Sequence, residues 1–114
     1  MLAKKSRLTG VKNFKNVEER GEIYQSQNFG VARVKRGDEE PSRFAFVVST
    51  KISKDAVDRN RFKRTMREAV RLSSIDIKNG FDVVFLAKTS IVRTPTSELM
   101  KEVKRALLES GLLK

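Results

Sequence analysis

Between Arg59 and Arg71 the chain sets six basic residues against one acid, Glu68, and adds Asn60. The basic residues are Arg59, Arg61, Lys63, Arg64, Arg67 and Arg71. If the stretch is helical, each residue advances about 100°, so Lys63, Arg67, Asn60, Arg71 and Arg64 fall within roughly 40° to 140° of Arg59. Arg61 points elsewhere, near about 200°, and Arg59 borders the apolar side. Cations in a row along a rigid rod match the repeated charges of a phosphate backbone. Each guanidinium can also grip a phosphate through two parallel hydrogen bonds. A merely solvated helix face usually mixes signs. Here only Glu68 dilutes the positive charge, so the face is suited to polyanion contact.

Other chemistries are closed to this chain. It has no His and no Cys, which removes the usual zinc sites and both Cys–His and Ser–His catalysis. Without Cys there is no disulfide framework, which fits a reducing compartment. Asp55, Asp58, Asp76 and Asp82 form no close set in sequence and offer no acid pair for two-metal nuclease chemistry. Asp58 reads as a helix cap, and Asp82 as a partner for backbone or for an arginine.

The distribution of charge supports a polyanion partner. The net charge is +11 over 114 residues, enough self-repulsion to need a reason. Residues 1–21 carry an excess of four positive charges and residues 59–71 an excess of five, whereas 22–58 balance. A general solubility device would be spread more evenly. The length fits a single domain, 1–114, able to bury a modest core without staples. The apolar runs Phe44 to Val48 and Val83 to Ala87 are too short to span a bilayer. Met1 to Arg7 has no apolar stretch behind its charges and does not read as a signal peptide. The expectation is a soluble, cytoplasmic domain with no membrane contact, whose polyanion partner is most simply a nucleic acid.

The elements that must position the basic face can be read from periodicity. Val11 to Arg20 reads as a short helix with Phe14 and Val17 on one face, and Gly21 as its C′ stop. Phe29 to Lys35 reads as a strand and Arg36 to Ser42 as a polar loop. In Arg43 to Ser49 the residues Phe44, Phe46 and Val48 alternate with the rest, predicting a strand with one apolar face. The short link between these two strands predicts an antiparallel hairpin. Asp58 to Leu72 is the clearest helix, with Phe62, Met66, Ala69 and Val70 as its stripe and either Ser53 or Asp58 as its cap. Phe81 to Ala87 is nearly continuously apolar and reads as a central strand. Pro95 opens the last helix, with Thr94 or Thr96 as cap, Leu99, Val103, Ala106 and Leu107 as its stripe, and Gly111 as its end. The order is helix, two or three strands, helix, strand, helix: an α+β sandwich with helices on a small sheet. Phe44, Phe46, Phe62, Phe81 and Phe85 are assigned to the core. Tyr24 and Phe29 could each stack on a base or cover the sheet edge.

The run Lys51-Ile52-Ser53-Lys54-Asp55-Ala56-Val57-Asp58-Arg59-Asn60-Arg61-Phe62-Lys63-Arg64, continuing to Arg67-Glu68 and Arg71, resembles the signature of the protein subunit of bacterial ribonuclease P. Arg7-Leu8-Thr9, Phe14, Val17 and Gly21 are similar to that family's N-terminal pattern, and Phe81-Asp82-Val83-Val84 resembles its last strand. The likeness runs in order along nearly the whole chain.

The resemblance implies a fold of helix, three strands, helix, strand, helix, with a small mixed sheet and a left-handed crossover, where the general rule is right-handed. It implies a protein that binds a large catalytic RNA and holds the single-stranded 5′ leader of precursor tRNA between the sheet and the first helix. On that basis Arg7, Lys51, Arg59, Asn60, Arg61, Lys63, Arg64, Arg67 and Arg71 would contact RNA. Phe14, Glu18, Gly30 and Ala32 would lie at the leader cleft. Mg²⁺ would be held mainly by the RNA, in a one-to-one complex, and the protein alone would have no catalytic residue. Several positions depart from the pattern. Glu18 stands where relatives often carry a second aromatic, Ala45 where Gly is common, and Thr50 where Lys is common. Gly30 and Ala32 are small where an aromatic or branched residue is common. The rival readings are a structural protein of the ribosome, a protein-only nuclease and a DNA-binding helix module. The lack of His and of clustered carboxylates speaks against the nuclease. The lack of a second helix one short turn from the basic one speaks against the DNA module.

Overall fold

The computed structural model describes residues 4–114. Three α-helices, α1 (Val11–Arg20), α2 (Ala56–Leu72) and α3 (Thr96–Glu109), enclose four strands, β1 (Glu22–Gln25), β2 (Phe29–Lys35), β3 (Arg43–Val47) and β4 (Phe81–Ala87). Single 3₁₀ turns at Lys4–Ser6, Ser74–Asp76 and Thr89–Arg93 complete the chain. Among the described residues no helix is long and apolar enough to cross a membrane.

The sheet is mixed, in the order β1-β2-β4-β3. β1 and β4 both run antiparallel to β2, and β3 pairs with β4 in the parallel sense across the α2 crossover. The expected hairpin of β2 with β3 is therefore not formed: β4 lies between them. The reason lies in β4, whose Val83, Val84 and Phe85 are 0%, 5% and 0% exposed. A strand apolar on both faces is stabilised most by a central place with a neighbour on each side. β3 goes to the edge and ends at Val47. At Ser49 the backbone already turns, its carbonyl accepting from Ile52 N–H at 3.0 Å.

Alternation of side chains divides the core between two faces of the sheet. Phe29, Val31, Phe44, Val83 and Phe85 face α2 and α3, meeting Phe62, Met66 and Val70 of the first and Leu99, Val103 and Leu107 of the second. Each large apolar side chain buried here contributes about 1.5–3 kcal/mol. On the opposite face Ala32, Ala45 and Val84 meet Val17 of α1 and Leu8. Phe46 and Phe81 are only partly buried against the larger cluster.

The helix ends differ in detail from the sequence expectation. Asp55, not Ser53 or Asp58, caps α2, its carboxylate accepting from Val57 N–H at 2.9 Å. Ser53 Oγ supports it by accepting from Asp55 N–H at 3.2 Å. Neither Thr94 nor Thr96 caps α3: Pro95 precedes the helix, and the Thr94 hydroxyl donates instead to Ser90 O at 3.1 Å. Gly111 does end α3. Its φ of 81° accompanies Gly111 N–H to Leu108 O at 3.2 Å and Leu112 N–H to Leu107 O at 3.0 Å, the paired bonds of a Schellman motif. Gly21 ends α1 for another reason. Its φ is an ordinary −70°, but a Cβ there would stand 2.4 Å from Val17 O, so only glycine allows the close approach.

Candidate nucleic-acid interface

α2 presents its buried stripe, Phe62, Thr65, Met66, Ala69 and Val70, to the core and turns its cations outward. Arg64 is exposed and Lys63 half-buried, and neither side chain has a hydrogen bond or ion pair within the described residues. Asn60 is exposed beside them. The other cations of the run are already engaged. Arg59 Nη1 donates to Ser53 O at 2.8 Å, tying the helix to the loop before it. The Arg61 guanidinium lies 4.7 Å from the Phe62 ring centroid. Arg67 stands 6.0 Å from the Phe46 ring centroid. Arg71 forms a two-bonded ion pair with Glu68, Nε donating to Oε2 at 3.0 Å. Those hydrogen bonds raise the Arg71 pKa and hold the Glu68 carboxyl below its usual range. The least committed part of the face is therefore Asn60, Lys63 and Arg64, with Arg67 half-committed beside them.

Arg7 borders this face from outside the helix. The Arg7 backbone bridges to Phe44 in the parallel sense, and Leu8 N–H donates to Phe44 O at 2.8 Å. The N-terminal segment thereby runs along the open edge of β3, and Arg7 lines a recess together with Arg67. Lys51 is exposed in the loop leading to α2.

The residues assigned to the cleft lie on the α1 side of the sheet. Phe14 is partly buried against the cluster of Leu8, Val17, Ala32, Ala45 and Val84, so its ring serves packing as well as any ligand. Glu18 is exposed on α1, one turn on. Ala32 is 4% exposed beneath this packing. Gly30 is buried too, because its own neighbours fold over it. A Cβ there would meet Gln25 Oε1 at 3.4 Å and Ile23 Cγ2 at 3.7 Å. Two apolar residues that sequence reasoning misses are open on this face: Ile23, 57% exposed, and Leu86, 40% exposed. Ile23 pairs with Ala32, and Leu86 with Gly30. The β pairing places all four on one face, but the sequence pattern does not delimit β1.

The two ambiguous aromatics are accounted for within the fold. Phe29 is fully buried. The Tyr24 hydroxyl donates to Glu109 on α3, and this bond raises its pKa. Asp82 has the arginine partner expected for it, and in fact has two. At 2% exposure it accepts from Arg36 Nη1 at 2.6 Å and from Arg43 Nη2 at 2.7 Å. Arg36 also bonds Asp38, Phe81 O and Pro41 O, so one guanidinium closes the whole β2–β3 loop.

Known proteins resemble this chain throughout its length. The family model described as Ribonuclease P matches residues 2–110. The ribonuclease P protein component of Rippkaea orientalis is 31% identical over 117 residues, covering 98% of this chain and 91% of that protein. The corresponding component of Dehalococcoides mccartyi strain 195 is 33% identical over 108 residues, covering 95% and 87%. Among solved structures, the Thermotoga maritima ribonuclease P protein superposes with a TM-score of 0.81 at 27% identity, covering 90% of this chain and 96% of its own. The Staphylococcus aureus ribonuclease P protein superposes with a TM-score of 0.89 at 21% identity, covering 97% and 100%, a likeness of fold.

Proposed function

The chain belongs to the ribonuclease P protein family, the protein components of a tRNA-processing ribonucleoprotein that partner the ribonuclease P RNA, and from that premise we propose how it acts. It docks on the RNA through the outward face of α2 and assists removal of the 5′ leader from precursor tRNA, while the cleavage chemistry stays with the RNA. The observation that carries this reading is the cationic surface of Lys63 and Arg64 beside Asn60 on α2, unpaired within the described residues. Because α2 is a rigid rod packed on the sheet, its cations are held in a fixed row before RNA arrives. Forming each phosphate contact then costs little conformational entropy.

The leader lies on the α1 face of the sheet, where Phe14, Ile23 and Leu86 offer apolar surface and Glu18 stands at the rim. Bases of a single strand rest on such surface, and nearby cations hold the backbone. The complex forms one-to-one in the cytoplasm. The reaction's Mg²⁺ is assigned mainly to the RNA. Family membership leaves the ribosomal reading without support.

The test is reconstitution. RNA-free protein with Mg²⁺ should leave precursor tRNA intact. Ribonuclease P RNA plus protein should cleave at the mature 5′ end with a higher kcat/KM than the RNA alone. Cleavage by the RNA-free protein would move catalysis to the protein, and failure to bind ribonuclease P RNA would remove the reading.

A further inference from the structure

Where the N-terminal segment crosses the edge of β3 it leaves a recess of about 190 Å³. Arg7, Leu8, Thr9, Phe44, Ala45, Phe46 and Arg67 line it, and because residues alternate along β3 the rings of Phe44 and Phe46 lie on the Arg67 side while the Ala45 methyl faces α1. Among the described residues no acidic side chain lines it. Within the described residues the Arg7 guanidinium and the Thr9 hydroxyl have no hydrogen bond or ion pair. Among the described residues Arg67 likewise has no hydrogen bond or ion pair, and its guanidinium stands 6.0 Å from the Phe46 ring centroid. The walls are fixed: Leu8 is 4% exposed and its N–H is spent on Phe44 O, so Arg7 and Thr9 are held in place by backbone.

Size and chemistry together narrow the occupant. Drug-sized ligands need roughly 300–1,000 Å³, so this recess takes a single ring system. Two guanidiniums with no carboxylate between them select an anion and repel a cation. An apolar, partly aromatic floor has no use for a bare phosphate and suits a planar base. A duplex cannot enter, because its bases are stacked away from such a notch, whereas an unstacked nucleotide presents base and phosphate together.

We propose that this recess binds one unpaired nucleotide of RNA, its base against the Phe46 ring and its flanking phosphates on Arg7 and Arg67. The proposal rests on the RNA-binding reading above and adds to it a built, single-nucleotide site shared between the N-terminal segment and α2. The nucleotide comes either from the ribonuclease P RNA or from the precursor's leader, and the two sources separate by experiment.

First, RNA-free full-length protein is titrated with uridine 5′-monophosphate and, separately, with ribose 5-phosphate while amide NMR signals are followed. The nucleotide should shift Leu8, Thr9, Ala45 and Phe46, at least threefold more than the sugar phosphate does. Equal shifts from both, or shifts confined to α2, would overturn the proposal. Second, Thr9→Trp, at an exposed position, fills the recess without entering the core. It should weaken binding of the partner whose nucleotide enters by about tenfold, the effect of expelling one stacked and charge-paired nucleotide. Weaker binding of ribonuclease P RNA assigns the nucleotide to that RNA. Weaker binding of precursor but not of mature tRNA, by the assembled complex, assigns it to the leader. Arg7→Ala, which cannot clash, should weaken the same partner severalfold. If wild-type protein binds ribonuclease P RNA and both Thr9→Trp and Arg7→Ala leave every affinity intact, the recess is empty of function while the broader reading stands. If wild-type protein binds no ribonuclease P RNA, the broader reading has failed first.

Discussion

Replacing Lys63 and Arg64 together by alanine should flatten the salt dependence of RNA binding. Both belong to the outward face of α2, and neither has a partner within the described residues. Their whole charge is therefore available to phosphates. Removing one phosphate-bound cation lowers the slope of log affinity against log salt by roughly 0.7 to 0.9. Removing two lowers it by about 1.4 to 1.8, so between 50 and 200 mM salt the variant should lose about tenfold less affinity than the native protein does. The variant should thus be much the weaker binder at low salt and approach the native protein at high salt. Folding should survive, because substitutions of outward side chains away from the core usually change stability by no more than about 0.5 kcal/mol. Arg71→Ala is the internal control: its guanidinium is already paired with Glu68, so its removal should reduce the slope less than Arg64→Ala does. The assay is filter or fluorescence binding of ribonuclease P RNA at five salt concentrations, with circular dichroism to confirm folding. An unchanged slope in a folded double variant would show that this face is merely solvated, and a larger drop in slope for Arg71→Ala would show that the intrahelical pair does not shield it.

Asp82→Ala should cost about 3–5 kcal/mol, read as a lowered urea midpoint, because it strands Arg36 and Arg43 beside a buried site; a loss under about 1 kcal/mol would mean the two arginines relax into water. Asp55→Ala should cost about 1 kcal/mol by removing the α2 cap, whereas Asp58→Ala should not, and equal losses would contradict the capping geometry. Arg36 hydrogen bonds hold the Asp38 carboxyl below its usual range, so this pair stabilises the fold above the unfolded carboxylate range, near about 4, and its contribution is lost as pH falls through the lower folded value. Asp38→Asn should accordingly make acid unfolding less steep, and an unaltered acid limb would exclude the pair as a contributor. Glu18→Phe should tighten precursor binding by on the order of 1 kcal/mol, through one restored stacking surface, and leave mature tRNA unchanged; equal gains for both ligands would mean that Glu18 acts by general electrostatics.

Much of this protein is decided within short stretches of sequence. Phe29–Lys35, Phe81–Ala87 and Val11–Arg20 occupy the residues their patterns predict, because a short apolar run or a helical spacing depends only on neighbours along the chain. The cationic row of α2 follows from the same local rule: once Phe62, Met66, Ala69 and Val70 are buried, Asn60 and Arg64 must face outward. What periodicity does not carry is who sits beside whom. The place of β4 between β2 and β3 is a contest among non-local pairings, won by the strand that is apolar on both faces. β1 is too short for its alternation to stand out, so Ile23 on the α1 face emerges only through its pairing with Ala32. Asp55 displaces two equally plausible caps because the loop from Ser49 sets where the first turn begins. Tertiary structure also divides the cations that sequence treats alike: among the described residues Arg59 and Arg71 spend hydrogen bonds within the protein, whereas Lys63 and Arg64 do not. The recess between Arg7 and Arg67 belongs wholly to the fold, since its walls are distant in sequence and meet only because the N-terminal segment pairs with the edge of β3.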